Sequence, residues 1–173
     1  MKKSVLLLFF AGCVATGIFG IGRKIPMNRV NDLGQREGYW RDSLGEGITH
    51  ELYYKGGKKD GLFKCFIRNE LFLFGEYTAD NMSGTWYMFG DEGELRCTID
   101  SIELNKDSIY TGYCRIFCKY KCYCADYYPS GAVKSEGYMV CDEDFMVDFW
   151  EIGEWKYYDE SGNLIKTKDY GDR

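Results

Sequence analysis

The side chains with the clearest capacity for chemistry are four cysteines within eleven residues of this 173-residue chain. They are Cys114, Cys118, Cys122 and Cys124. Clustered thiols can bind zinc, but zinc sites usually use pairs separated by two to four residues, often together with histidine. Here three, three and one residues separate successive cysteines, and His50, the single histidine of the chain, lies far away in sequence. We therefore expect no metal site and no cofactor.

The same run has the alternation of a β-strand. From Cys114 to Cys124 the even positions carry cysteine, isoleucine or tyrosine, whereas the odd positions carry arginine, phenylalanine, lysine or tyrosine. This pattern predicts a strand with an apolar inner face. Along such a strand the four thiols span about 33 Å, too far to share one metal ion. The pattern favours thiols packed as small hydrophobic side chains.

Disulfides are a second interpretation of the cysteines. Neighbouring antiparallel strands can bring two cysteines close enough for a bridge. The cysteines open to this are Cys97, Cys114, Cys118, Cys122, Cys124 and Cys141, with Cys65 as a further partner. Beyond residue 22 the chain has seven cysteines, so an odd one is left over unless it links two chains.

No other residues converge on catalysis. His50 has no nucleophile motif near it in sequence and is expected to be a surface residue. The acidic segments Asp91-Glu92 and Asp142-Glu143-Asp144 lack the ligand spacing of an EF-hand and are typical of charged hairpin tips. No phosphate-binding glycine loop precedes a helical segment. The sequence therefore predicts a protein that is not an enzyme.

A repeated pattern of glycine, any residue and an aromatic residue indicates the elements that position these side chains. It is clearest at Gly84-Thr85-Trp86 with Gly93-Glu94-Leu95, and at Gly153-Glu154-Trp155 with Gly162-Asn163-Leu164. The offsets are the same in both copies, which start 69 residues apart. Identical offsets indicate one structural unit used repeatedly. Aromatic segments followed by acidic, glycine-containing turns predict that each unit is a β-hairpin.

Less regular copies extend the pattern. Gly38-Tyr39-Trp40 and Gly61-Leu62-Phe63 open two of them, and the openings at 38, 61 and 84 are 23 residues apart. In the second, Asn69 takes the place of the turn glycine, which is reasonable because asparagine tolerates positive φ. A degenerate copy runs from Tyr127 to Val133. The sequence therefore predicts an all-β protein built from consecutive hairpins.

This pattern resembles the MORN-repeat family (membrane occupation and recognition nexus), in particular its shorter bacterial variant repeats. The resemblance covers residues 38–170 and departs from the pattern between Cys97 and Cys124, where an irregular insert is expected. The residues that carry it are Gly38 and Trp40, Tyr53-Tyr54 with Gly56 to Gly61, Gly84 and Trp86, Gly137-Tyr138, and Gly153 and Trp155. The resemblance implies an elongated antiparallel sheet used for binding or scaffolding, and some bacterial members carry an antitoxin label.

The amino-terminal segment, residues 1–22, has the outline of an export signal. Lys2-Lys3 precede an apolar run from Val5 to Ala11, and small residues follow. The polar, aperiodic segment 23–37 is expected to be a linker to the repeat domain at 38–170.

The sequence leaves three possibilities for how the amino-terminal segment is processed. Phe10-Ala11-Gly12-Cys13 resembles a bacterial lipoprotein signal, in which Cys13 is lipidated. Ala15-Thr16-Gly17 offers an ordinary cleavage site instead. Finally, the helix from Ser4 to Gly22 is near the lower length limit for a membrane anchor. All three predict an exported protein, either anchored at the membrane or free in the periplasm or outside the cell.

The net negative charge of the chain indicates which classes of partner it disfavours. Without Lys2 and Lys3 the chain has 20 basic and 27 acidic residues, a net charge of −7. An acidic surface repels nucleic acid and anionic lipid, so contact with the membrane is expected only through the amino-terminal segment. We expect a monomer that binds a protein partner, with an antitoxin that neutralises a toxin as the alternative. The expected binding surface is aromatic and comprises Trp40, Phe63, Trp86, Trp155, Tyr157 and Tyr158.

Overall fold

The computed structural model describes residues 26–106, 118–142 and 149–171. These residues form one eleven-stranded sheet in which strand order equals chain order and consecutive strands pair antiparallel. The strands are β1 (Arg29–Val30), β2 (Arg36–Gly45), β3 (Ile48–Lys55), β4 (Lys58–Ile67), β5 (Glu70–Thr78), β6 (Asn81–Phe89), β7 (Leu95–Leu104), β8 (Tyr120–Tyr127), β9 (Val133–Cys141), β10 (Phe149–Tyr158) and β11 (Leu164–Asp169). The prediction of an all-β protein made of consecutive hairpins is confirmed.

Two expected boundaries differ from the structure. Part of the segment expected to be a linker belongs to the sheet, because β1 pairs with the start of β2. The Asn31 side chain makes this turn possible: its Oδ1 accepts hydrogen bonds from the backbone N–H groups of Leu33 and Gln35, each 3.0 Å long. Within the stretch expected to be irregular, 97–124, β7 and β8 pair on either side of residues 105–119, with a register shift between Asp100 and Glu103. Residues 1–22, including Cys13, lie outside the described residues.

Tight turns set the register of the first hairpins. At the β4–β5 turn Arg68 and Asn69 both have positive φ, at 53° and 70°. Two successive residues of this kind form the turn whose twist matches that of the flanking strands. Asn69 thus takes the role that glycine has elsewhere, as its sequence position predicts.

The two clear copies of the sequence repeat share one backbone irregularity. In β6, three residues from Gly84 to Trp86 stand opposite the single residue Gly75 of β5. In β10, three residues from Gly153 to Trp155 stand opposite Gly137 of β9. Gly84 and Gly153 have φ of 65° and 59°, a conformation that side-chain-bearing residues rarely adopt. The Gly-x-Trp pattern therefore encodes a β-bulge.

The bulges place both tryptophans on the inner face of the sheet. This face buries one main hydrophobic cluster, in which Trp86 lies with Phe63 and Tyr77 at ring-centroid distances of 5.5 and 5.1 Å. Each indole N–H finds a backbone acceptor: Trp86 donates to the Ser83 carbonyl at 3.2 Å, and Trp155 donates to the Tyr138 carbonyl at 2.7 Å. Large aromatic side chains stabilise such a thin sheet because each one buries much apolar area.

Candidate functional site

Three of the aromatic residues expected to form the binding surface are buried instead. Phe63, Trp86 and Trp155 expose only 7%, 1% and 4% of their surface. For the two tryptophans the reason is a glycine on the neighbouring strand, which has no side chain and lets the indole lie flat on the sheet. These residues define the repeat and form its core, so they are excluded from the contact surface.

The other three expected residues are half-buried and held by contacts within the chain. Trp40 donates its indole N–H to the Arg29 carbonyl at 3.1 Å and lies 4.3 Å below the Arg36 guanidinium. The hydroxyls of Tyr157 and Tyr170 are 2.8 Å apart. Burial and this hydrogen bond raise the pKa of Tyr157 to about 12. The sixth residue, Tyr158, belongs to the outer face described next.

The outer face carries a tyrosine pair on the first hairpin. Tyr39 of β2 stands directly opposite Tyr53 of β3, and their ring centroids are 5.4 Å apart. Glu51, two residues before Tyr53, accepts a hydrogen bond from Tyr39, and burial together with this bond raises the pKa of Tyr39 to about 12. We call Tyr39, Tyr53 and Glu51 the first tyrosine triad.

The same arrangement recurs on a later hairpin. Tyr123 of β8 stands opposite Tyr138 of β9 with ring centroids 5.2 Å apart, and Glu136 lies two residues before Tyr138. Burial and the Glu136 carboxylate, which also accepts a hydrogen bond from Tyr123, raise the pKa of Tyr123 to about 12. Tyr158 donates a second hydrogen bond to Glu136, 2.6 Å long. Tyr123, Tyr138 and Glu136 form the second tyrosine triad.

The two triads leave aromatic surface open to solvent. Tyr53 is 38% exposed and Tyr138 is 46% exposed. The intervening hairpin has a related pair, Phe74 and Tyr87 with centroids 6.1 Å apart, but Thr85 occupies the position two residues before Tyr87. This pair therefore lacks a carboxylate at the position that Glu51 and Glu136 occupy in the triads.

The tyrosine triads also have a sequence pattern, which the sequence analysis did not identify. Glu51-Leu52-Tyr53 and Glu136-Gly137-Tyr138 share the pattern Glu-x-Tyr, each following a tyrosine 14 or 15 residues earlier. The Gly-x-aromatic pattern is more conspicuous because it includes tryptophan, but it marks the buried face.

Each triad also has a basic side chain of the same protein nearby. Arg41 Nε lies 3.8 Å from Glu51 Oε1 in the first tyrosine triad. Lys121 Nζ lies 5.8 Å from the Tyr138 ring centroid in the second. Aromatic faces and carboxylates both attract cations. Cations of the same chain therefore already lie beside the Glu51 carboxylate and the Tyr138 ring.

The inner face brings four cysteines together in two pairs. Cys97 Sγ of β7 is 3.2 Å from Cys124 Sγ of β8, and Cys122 Sγ of β8 is 3.6 Å from Cys141 Sγ of β9. The neighbouring sulfur and burial raise the pKa of the Cys124 thiol and of the Cys122 thiol. From 118 to 124 the even positions are buried and the odd ones half-buried, as the alternation predicts.

The remaining cysteines lie elsewhere. Cys118 packs with Val140 and Ile152 in a second, smaller buried cluster. Cys65 is buried on β4, where burial raises the pKa of its thiol. Cys114 lies outside the described residues.

One group of side chains has ligand atoms close enough for a metal ion. The sulfurs of Cys97 and Cys124 and a carboxylate oxygen of Asp126 all lie within 4.8 Å of one another. Ser135 donates a 2.9 Å hydrogen bond to Asp126 Oδ2 and so orients this carboxylate. Two thiols and one carboxylate are ligands that zinc accepts. The sequence did not indicate this group, because Cys97 reaches it from another strand.

The described residues assemble no catalytic constellation around the histidine. The His50 ring packs at 5.0 Å from the Phe63 ring, measured between centroids, and is half-buried on the inner face rather than at the surface as expected.

Comparison with known proteins gave no match to a family model, to a curated protein or to a solved structure. Within residues 26–106, 118–142 and 149–171 there is no helix of the length and apolarity needed to cross a membrane.

Proposed function

We propose that this chain is an exported, non-enzymatic repeat protein of the MORN-like type that binds a protein partner at the cell envelope through the outer face of its sheet. The observation that supports this most is the recurrence of the same Tyr-Tyr-Glu arrangement at Tyr39, Tyr53 and Glu51 and at Tyr123, Tyr138 and Glu136. An elongated array of hairpins would present these triads along one surface.

The difference in burial between the two faces of the sheet supports the proposal. The inner face is occupied by the main hydrophobic cluster and leaves its tryptophans at most 4% exposed where they sit on the bulges. The outer face buries Val140 and Ile152 but exposes Tyr53, Tyr138 and Leu62, the last at 46%. Tyrosine is among the residues that contribute most binding energy at protein interfaces.

Charge suggests which partner surface would fit. The chain beyond residue 3 has a net charge of −7, and each triad contains a carboxylate that accepts a hydrogen bond from one of its tyrosines. A partner that offers lysine or arginine side chains would gain cation–π contacts and charge-assisted hydrogen bonds. The same charge disfavours nucleic acid.

Site-specific photo-crosslinking tests this proposal. A photoreactive phenylalanine derivative replaces Tyr53 in one variant, Tyr138 in a second and Glu92, an exposed residue at a hairpin tip, in a control. We expect irradiated cells to yield the same cross-linked protein from Tyr53 and Tyr138 but not from Glu92. Equal cross-linking from Glu92, or none from either tyrosine position, would contradict the proposed face.

Export is a separate part of the proposal. The supporting feature is the apolar segment after Lys2-Lys3, with lipidation of Cys13 as one of its three endings. Mass spectrometry of the mature amino terminus distinguishes them: a lipidated Cys13, a terminus near Gly17 or an intact Met1. An intact amino terminus on protein found in the cytoplasm would contradict export.

A further inference from the structure

Two pairs of thiols on the inner face have their sulfur atoms in contact. Cys97 and Cys124 join β7 to β8, and Cys122 and Cys141 join β8 to β9. We propose that Cys97–Cys124 and Cys122–Cys141 are the disulfides of the oxidised protein and that together they staple three consecutive strands. This inference rests on side-chain geometry and does not depend on the proposed partner.

The register makes these two pairings specific. Cys97 stands opposite Asp126, two residues from Cys124, so the two cysteines are diagonal neighbours on one face. Cys122 stands opposite Met139, two residues from Cys141, which is the same kind of relation. The Cα atoms of diagonal neighbours are typically about 7–8 Å apart, slightly beyond the usual disulfide range. The sulfurs are nevertheless in contact at 3.2 and 3.6 Å, so a bond of about 2.05 Å requires side-chain rotation together with a small approach of the paired strands.

The alternative pairings are less favourable. Cys122 and Cys124 lie on one strand, but each has a sulfur contact to a neighbouring strand, at 3.6 and 3.2 Å. Cys65 lies on β4, separated from β7 by two strands of the sheet. Each proposed bridge therefore joins the two sulfurs that are already nearest neighbours.

The chemistry requires an oxidant, which we take to be a small disulfide or an oxidised dithiol protein. The Cys97 thiolate attacks the oxidant disulfide, forms a mixed disulfide and releases one thiolate. The Cys124 thiolate then attacks the Cys97 sulfur, forms the new S–S bond and releases the second thiolate. The chain loses two protons and two electrons, and the oxidant disulfide is reduced to two thiols.

Accessibility sets the order in which the two bonds form. Cys97 and Cys124 are 7% and 5% exposed, whereas Cys122 and Cys141 are fully buried. We therefore expect Cys97–Cys124 to form first in folded protein, and Cys122–Cys141 to form during folding or when the sheet opens locally. Once formed, both bonds would be shielded from reductants.

Disulfide mapping tests the connectivity. The full-length protein, purified with reduced thiols, is equilibrated with oxidised glutathione until the products stop changing, and remaining thiols are then alkylated in denaturant. Cleavage after Tyr123 separates Cys122 from Cys124, so the two bridges give different cross-linked peptides. We expect Cys97 linked to Cys124 and Cys122 linked to Cys141. Dominant alternative pairs, or alkylation of every cysteine of the chain at equilibrium, would overturn the proposal.

Variants provide a second readout. Loss of either bridge, in Cys97→Ala or Cys141→Ala, should lower the melting temperature of the oxidised protein by about 6–12 °C relative to oxidised wild type, beyond any difference seen under reductant. Cys65→Ala is the matched control, because it removes a buried thiol that lies in neither pair. Its melting-temperature loss should be the same with and without reductant. An equal redox dependence in Cys65→Ala would overturn the assignment.

Elemental analysis tests the alternative that the sulfurs of Cys97 and Cys124 bind a metal ion. A metal ion held by Cys97, Cys124 and Asp126 would protect both thiols from oxidation. Metal at one equivalent in protein purified in the reduced state, together with thiols that resist glutathione, would replace the Cys97–Cys124 bridge with a metal site.

Discussion

The indole of Trp155 lies directly on the backbone of Gly137, so that a Cβ atom added at this glycine would stand 2.5 Å from the ring. Trp86 has the same relation to Gly75, where the added Cβ would stand 2.1 Å from the ring. Each pair joins a bulged strand to its neighbour. The sheet is thus built from repeated tryptophan–glycine contacts on one face, which leaves the opposite face available for tyrosine.

Adding a methyl group beneath either indole should destabilise the protein. We expect Gly137→Ala and Gly75→Ala to lower the free energy of unfolding by about 1–3 kcal/mol, because the ring must move out of a packed core. Urea denaturation measures the change. Gly90→Ala is the matched control: its Cβ would meet only the end of the Glu94 side chain, which can move into solvent. A control as unstable as Gly137→Ala would contradict the packing account.

The glycines that open the two clear repeats should resist substitution for a different reason. Gly153 and Gly84 have positive φ, but nothing surrounds Gly153 within 4 Å of an added Cβ. We expect Gly153→Ala to cost about 1–2 kcal/mol through backbone strain alone. Gly153→Asn should cost less, because asparagine adopts positive φ more readily. Equal stability losses for alanine and asparagine in urea denaturation would argue against the bulge conformation.

Replacing an inner-face tryptophan should destabilise the protein more than replacing an outer-face tyrosine. Trp86→Ala removes a 1%-exposed ring and should cost about 3–5 kcal/mol of unfolding free energy. Tyr138→Ser removes a ring that is 46% exposed and should cost about 1 kcal/mol or less. Thermal and urea unfolding compare the two variants. If Tyr138→Ser were the more destabilising, the assignment of inner and outer faces would be wrong.

The tyrosine triads predict late phenol titration. The pKa of Tyr39 and of Tyr123 is raised to about 12 in the folded protein, so folding favours the protonated phenol. The resulting stabilisation is present below the usual tyrosine pKa of about 10 and is lost as the pH rises from there towards 12. Ultraviolet absorbance follows phenolate formation. Glu51→Gln removes the negative charge beside Tyr39, and we expect it to shift one late-titrating phenol to lower pH; an unchanged curve would contradict the triad.

Sequence periodicity predicted the hairpins because turns and strand alternation are local properties. Positive φ at Asn69 and the recurrence of Gly84 and Gly153 follow from short-range steric rules. The burial of Trp86 and Trp155 could not be predicted in the same way, since alternation shows that a strand has two faces but not which one is covered. The glycines that decide this, Gly75 and Gly137, lie on the neighbouring strands.

The cysteine pairs were beyond local reasoning for a related reason. Cys97 and Cys124 meet only because β7 and β8 pair in one register, and residues 105–119 lie between these strands. A connection of that length leaves several registers open, and the register decides which cysteines of the two strands meet. The alternation of residues 118–124 could be read from the sequence, whereas their partners could not.

Tyrosine nitration followed by mass spectrometry tests most directly whether the outer face is the binding face. In the purified full-length protein, we expect Tyr53 and Tyr138 to react readily and the buried Tyr77 and Tyr120 to be protected. In intact cell envelopes the account predicts that Tyr53 and Tyr138 become protected, because a partner covers them. Rapid nitration of Tyr120 in the purified protein, or unchanged nitration of Tyr53 and Tyr138 in envelopes, would contradict it.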